Sequence, residues 1–250
     1  MISIKSAKQI EQMRKSCEIT KELFLELEKK IKPGVTTKEL DTFAFNFYKK
    51  HGATPNFLNY NGYPATICAS VNNEVIHGIP SAKRVLKDGD IISIDMGCIV
   101  DGWHSDAART FTVGKVSDEA QRLIDVTRDS FFKGIEYAKV GNRLSDISHE
   151  IQSYVEAAGF SVVRDFVGHG IGRNVHEDPN VPNFGKSGRG PKLQEGMVLA
   201  IEPMVNAGTY KVTTLKDGWT VVTADNSLSA HYENTVAILS DGPEILTLIK

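Results

Sequence analysis

The chain of 250 residues is 41% apolar and close to charge balance, with a formal net charge of −2 and a pI near 6.4. It can bury a substantial core, as one large domain or two small ones, and it carries no basic footprint for nucleic acid. Cys17, Cys68 and Cys98 are odd in number and far apart, which argues against a disulfide framework or a thiolate zinc site and for a reducing compartment.

The N-terminal stretch M-I-S-I-K-S-A-K-Q-I-E lacks the apolar core of a secretory signal, and no later run is long enough to span a bilayer. A soluble cytoplasmic protein is expected, and a monomer, because no exposed apolar helix face stands out. Ser6-Ala-Lys-Gln9 has the form of a capping box. Ile10, Met13, Cys17, Thr20, Phe24, Leu27 and Ile31 then recur at helical spacing up to Pro33-Gly34. Thr36-Thr-Lys-Glu39 repeats the capping signal, and Leu40, Phe43, Ala44 and Phe47 form a stripe that ends at Gly52.

An aromatic loop follows, then N-N-E-V-I-H-G-I-P, in which His77 fits a turn residue before Gly78-Ile79-Pro80. Asp101-Gly102 is a strong two-residue hairpin turn between alternating strands. With that turn Val100 faces Trp103, Asp95 lies opposite Ala108 and Gly97 opposite Asp106. Asp95 and Asp106 thus project from one sheet face as diagonal neighbours, roughly 7–8 Å apart at the backbone. The other face carries Ile92, Ile94, Met96, Cys98 and Val100 with Trp103, Ala107, Phe111 and Val113, a core pattern. Two sheltered anions repel each other and lose hydration unless a cation joins them, and their spacing suits ions about 3.5–4 Å apart. A solvated strand face carrying ordinary surface acids fits the hairpin alone equally well.

Asp118 to Ala138 and Leu144 to Ala158 read as a second helix pair, closing at Gly159. Gly34 and Gly52 are spaced as Gly141 and Gly159 are. Superposing the two glycine pairs puts Phe24 on Phe131, Leu40 on Ile147, Phe47 on Tyr154 and Tyr48 on Val155. Two amphipathic helix pairs can align by chance; an internal duplication is the alternative, with halves of approximately 1–113 and 114–250 in one domain over 1–250. The strands of both halves would merge into one curved sheet covered by helices.

In F-V-G-H-G-I-G-R-N-V-H-E-D-P, Gly168, Gly170 and Gly172 allow close backbone approach around His169, with His176 further on. The segment is not a phosphate loop, because G-x-G-x-x-G is unmatched and the Lys-Ser/Thr ending is missing. Taken singly, each histidine is more often a hydrogen-bonded structural residue than a ligand. Glu202 in M-V-L-A-I-E-P-M-V and Glu233 in S-A-H-Y-E-N-T-V-A-I-L interrupt strand-like apolar runs, and Pro203 implies an edge or bulge after Glu202. A common metal cluster would explain Asp95, Asp106, His169, Glu202 and Glu233 together.

The segments D-M-G…D-G-W-H-S-D, G-H-G-I-G…H-E-D-P, E-G-M-V-L-A-I-E-P and A-H-Y-E-N-T, in this order and spacing, resemble the type I methionine aminopeptidases over essentially the whole chain. The resemblance implies an α/β fold of pita-bread type, with pseudo-twofold duplicated halves and a curved antiparallel sheet covered by helices. It implies two divalent metal ions held by Asp95, Asp106, His169, Glu202 and Glu233, with Asp106 and Glu233 bridging both. Co, Mn, Fe or Zn suits such an oxygen-rich set.

The implied activity is removal of the N-terminal methionine from nascent polypeptides with a small second residue, by attack of a metal-bridging hydroxide on the first peptide bond. The ions would also polarise the carbonyl and anchor the substrate amine. By the same resemblance Glu202 shuttles a proton, His176 donates to the oxyanion and His77 hydrogen-bonds near the scissile nitrogen. Tyr60, Tyr63, Cys68 and Trp219 match the methionine pocket, where Phe57 stands in place of a frequent Cys. Val175 stands where an aromatic commonly precedes the second histidine, so the pocket is expected to be reshaped. Asn72 and Ser229 match a monovalent-cation site, and the substrate class implies proximity to ribosomes. Xaa-Pro peptidases share the fold and the ligands but usually carry an additional N-terminal domain, and type II methionine aminopeptidases a helical insertion. A binding module that has lost catalysis would typically miss ligands, and none is missing.

Overall fold

Ser6 and Thr36 open two helices through reciprocal hydrogen bonds with Gln9 and Glu39, as their spacing predicts, in a computed structural model that describes residues 1–249. Helix α1 spans Ala7–Glu28 and α2 Thr37–Lys50. The second pair is α3, Asp118–Ile135, and α4, Leu144–Ala157. Helix α3 stops short of the expected Ala138 because its end tightens: Tyr137 N–H bonds to Gly134 and Ala138 N–H to Ile135, each three residues back.

Eight strands form the main sheet: β1 Cys68–Val71, β2 Ile91–Met96, β3 Ala107–Thr112, β4 Gly168–Gly170, β5 Glu177–Val181, β6 Val198–Ile201, β7 Glu233–Leu239 and β8 Gly242–Ile245. Their lateral order is β5-β4-β6-β7-β3-β2-β1 with β8 beside β7, and every pairing is antiparallel. Early and late strands meet where β7 pairs Glu233 with Ala108 and Asn234 with Ala107 of β3. That junction is locked twice, because Thr235 Oγ1 accepts from Asp106 N–H at 3.0 Å and donates to the Asp106 carbonyl at 2.8 Å.

The hairpin register is the predicted one, with Asp95 opposite Ala108 and Val100 opposite Trp103, around a turn in which Asp101 and Gly102 have φ of +52° and +75°. It differs from the expected continuous ribbon at Gly97. A Cβ there would lie 2.0 Å from the Ser105 carbonyl oxygen, and so close an approach bends the pair out of the main sheet. The tip, Cys98–Val100 with Trp103–His104, joins Thr54–Pro55 in a small separate sheet. Pro203 likewise ends a strand: β6 stops at Ile201, and Met204–Asn206 pairs in another sheet with Ser229–His231.

One core packs Leu23, Phe24, Leu40 and Tyr48 of α1 and α2 onto Ile92, Ile94, Met96 and Ala107 of the sheet. A second packs Phe131, Ile147 and Ile151 of α3 and α4 onto Leu199, Ile201 and Val236. The residues paired by the glycine frame share their burial. Phe24 and Phe131, Leu40 and Ile147, and Tyr48 and Val155 are buried; Phe47 and Tyr154 are half-buried. Cys17, Cys68 and Cys98 are free and buried, and no described helix is long and apolar enough to cross a membrane.

Candidate active site

The sheet face away from these helices carries the carboxylates. Strand β2 presents Asp95, the bend before β3 presents Asp106, the end of β6 presents Glu202 and the start of β7 presents Glu233. His169 sits mid-strand in β4 between two glycines packed against neighbouring backbone. A Cβ on Gly168 would lie 2.3 Å from the Ala200 carbonyl oxygen, and one on Gly170 2.2 Å from that of Asp178. All five side chains line one cavity of about 290 Å³.

Ligand-capable atoms of Asp106, His169 and Glu233 lie within 4.8 Å of one another. His169 Nε2 is 3.5 Å from Glu202 Oε1 and 3.8 Å from Asp106 Oδ2. Burial pushes the Asp95 carboxyl up to about 7, and Asp106, Glu202 and Glu233 are also raised, by burial and by their mutual charge. Burial lowers His169 to about 3, so its contacts with the acids at neutral pH are those of a neutral imidazole and not ion pairs. Asp95 Oδ1 and Asp106 Oδ1 are buried without a hydrogen-bond partner. Four crowded carboxylates, two of them with an orphaned oxygen, and one neutral imidazole are a donor set that divalent cations satisfy and that protein groups here do not.

The remaining expected site residues gather at the same cavity: Phe57, Tyr60, Tyr63, Cys68, His77, His176 and Trp219 all line it. Tyr63 is fixed by bonds from its hydroxyl to the Ile67 and Gly78 carbonyls, and its ring meets Trp219 edge-on at 5.1 Å. Trp219 is carried on a turn whose N–H groups bond to Asp217. His77 has φ +59°, backbone strain of the kind retained at working sites, and burial lowers it to about 4. His176 bonds through Nδ1 to the Tyr60 hydroxyl at 2.9 Å and packs against His169, ring centroids 4.2 Å apart. Val175 stands behind this wall, packed with Phe57, Tyr63 and Cys68.

Asn72 and Ser229 lie away from the cavity and adjoin, the Asn72 carbonyl accepting from Ser229 N–H at 2.9 Å. Asn72 spends its side chain on Asp90 and Ile91 N–H.

Sequence reasoning missed two neighbours. Phe166 lines the cavity and meets the His77 ring edge-on. His231, only 1% exposed, has two ring nitrogens without partners and sets Nε2 3.7 Å from Glu202 Oε2. Alternation carried a signal for it, since His231 stands two residues before Glu233 in extended chain and shares its side. Behind the sheet, buried Arg109 donates to the Glu233 and Ala108 carbonyls and to Asn234 Oδ1, and lies 4.3 Å over the Tyr232 ring.

Residues 11–240 match the sequence pattern described as Metallopeptidase family M24. The chain is 66% identical to a methionine aminopeptidase of Clostridium perfringens over the full length of both chains, and 53% identical to methionine aminopeptidase 1 of Bacillus subtilis, again over the whole of both. Its fold superposes on the crystal structure of methionine aminopeptidase from Rickettsia prowazekii with a TM-score of 0.98 at 46% identity, covering 99% of this chain and 100% of that one. It also superposes on a prolidase from Pyrococcus furiosus with a TM-score of 0.79 at 21% identity, a likeness of fold that covers 99% of this chain and 66% of the prolidase.

Proposed function

Since the chain belongs to metallopeptidase family M24 and, within it, to the methionine aminopeptidases, we propose a division of labour among its residues for the metal-dependent removal of N-terminal methionine from nascent chains. Asp95, Asp106, His169, Glu202 and Glu233 would hold two divalent ions, supported by the crowding of their ligand-capable atoms in one cavity. The oxygen-rich set favours Mn, Fe or Co at least as much as Zn. When bound, the ions supply Lewis acidity toward the scissile carbonyl and toward water.

The protein groups do the rest. Phe57, Tyr60, Tyr63, Cys68 and Trp219 enclose the unbranched methionine side chain and exclude water beside the acids. Glu202, beside His169 in the same cavity, accepts a proton from attacking water and delivers it toward the leaving nitrogen. His176, neutral and oriented from behind by Tyr60, donates to the developing oxyanion, and His77 holds the scissile nitrogen. The reading extends to one domain over 1–250 made of duplicated halves, 1–113 and 114–250, supported by the matched burial of the two helix pairs. It extends also to a monovalent cation near Asn72 and Ser229, supported by their contact, and to a cytoplasmic monomer working close to ribosomes.

The observation that carries this function is that one cavity joins the acid and histidine cluster to the aromatic slot. Release of methionine from Met-Ala-Ser and Met-Pro peptides, against cleavage of Ala-Pro peptides, with added Mn²⁺ or Co²⁺, tests it. Exclusive cleavage of Xaa-Pro bonds, or silence with every metal, would overturn it.

A further inference from the structure

The segment ahead of α1 reaches the turn that carries His176. Lys5 has a side chain only 2% exposed, and its Nζ lies 2.7 Å from Oε2 of Glu177, itself 11% exposed. The other Glu177 oxygen accepts the backbone N–H groups of Arg173 at 2.8 Å and Asn174 at 3.1 Å. One carboxylate is thus shared between an N-terminal side chain and the backbone of the turn 172–177, whose next members are Val175 and His176.

The space around that contact is closed. A Cβ on Gly172 would lie 2.5 Å from Lys5 Cε and 2.8 Å from Glu177 Oε1. On the other side Lys5 N–H donates to the Gly196 carbonyl at 2.7 Å, and a Cβ on Gly196 would lie 2.4 Å from the Lys5 carbonyl oxygen. The segment is therefore pressed between two backbone strips that admit no side chain. Buried ion pairs are poor sources of stability, since desolvation offsets their attraction, so stability alone does not account for one placed so deeply.

We propose that Lys5 is a positioning residue: through Glu177 it sets the height and angle at which the turn presents His176 to the cavity. The inference rests on the reading of His176 as the oxyanion donor. Displacing such a donor by about 1 Å costs turnover without altering the acids that hold metal. The role is specific to the turn, because neither Lys5 nor Glu177 lines the cavity.

The test uses the Mn²⁺-loaded full chain and Met-Ala-Ser peptide. Lys5→Met should lower kcat by about tenfold, with KM and metal content within about twofold of the parent. Lys5→Arg should restore most of kcat. In a His176→Ala background Lys5→Met should cost nothing more, because the group it positions is gone. A melting temperature that falls while kcat is unchanged well below the transition would overturn the inference, and so would losses that multiply in the His176→Ala background. Should Lys5→Met fail to fold, Glu177→Gln carries the same comparison, since the amide oxygen still serves Arg173 and Asn174. If His176→Ala alone leaves kcat intact, the donor reading fails first and the strap falls with it. If His176→Ala is crippled and Lys5→Met is not, the strap alone fails.

Discussion

The Tyr60 hydroxyl lies 2.9 Å from His176 Nδ1, with the two rings 5.3 Å apart, so a residue lining the cavity also orients the imidazole. A hydroxyl donating to Nδ1 leaves Nε2–H free to donate to substrate. Tyr60→Phe keeps the ring and removes the bond, which should lower kcat by roughly 3–30-fold, the worth of a hydrogen bond that sets a tautomer. A rise in KM with kcat unchanged would make Tyr60 a wall and nothing more.

His77 and His176 stand outside the acid cluster but on the same cavity. Replacing either by Ala should reduce kcat by about 10²–10³-fold while the purified protein keeps its metal. Metal analysis beside steady-state kinetics checks this, and loss of both ions in either variant would contradict the assignment.

Asp106 should show opposite effects with and without metal. In metal-free protein it is a buried acid crowded by three others, raised by burial and by the Asp95 charge, so Asp106→Asn removes a group that is costly to ionise and should raise the melting temperature by about 2–4 °C, the yield of roughly 1 kcal/mol in a chain of this size. The rise in melting temperature on adding Mn²⁺ should vanish. Thermal scans of both forms decide the matter; a metal-free variant less stable than its parent would show that Asp106 is structural.

Metal binding should release protons near pH 6.5. The Asp95 carboxyl, raised to about 7 by burial, holds a proton there for much of the time in the metal-free protein, and burial and mutual charge favour the protonated form of its neighbours too, whereas His169, lowered to about 3, holds none. Affinity should therefore climb as pH rises from about 5 to 7. Calorimetry in two buffers of different ionisation enthalpy measures the release directly, at about one proton or more. Binding without proton release would mean the acids are already ionised.

Phe57 and Val175 touch the same buried cluster, a bulky residue and a small one. Val175→Phe alone should overpack it and cost about 1–3 kcal/mol, and pairing it with Phe57→Cys should recover most of the loss. Denaturant melts of the three variants test this; additive losses would show that the positions are independent.

Much of this was legible because periodicity and turns report directly on backbone. The caps at Ser6 and Thr36, the hairpin at Asp101-Gly102 and the register that puts Asp95 opposite Ala108 follow from local chemistry. The meeting of Asp106 with Glu233, far apart in sequence, is a tertiary fact; acids interrupting apolar runs suggested a common cluster, and the family resemblance added the roles within it. His231 and the pair Lys5–Glu177 escaped notice because each matters through a partner that no local pattern names. The bend at Gly97 escaped for the same reason, since its cause is the carbonyl of Ser105 across the strand.

The pair of hydrogen bonds between Thr235 and Asp106 puts an acid of the cluster and a neutral fastening at the same strand junction. Opening that joint would move Asp106 away from Glu233, and a divalent cation held by both, as proposed, would oppose the opening. On the proposed ligand set, cation supply would work as a reversible rivet through the midline, and its scarcity would shorten the molecule's survival as well as slow its work.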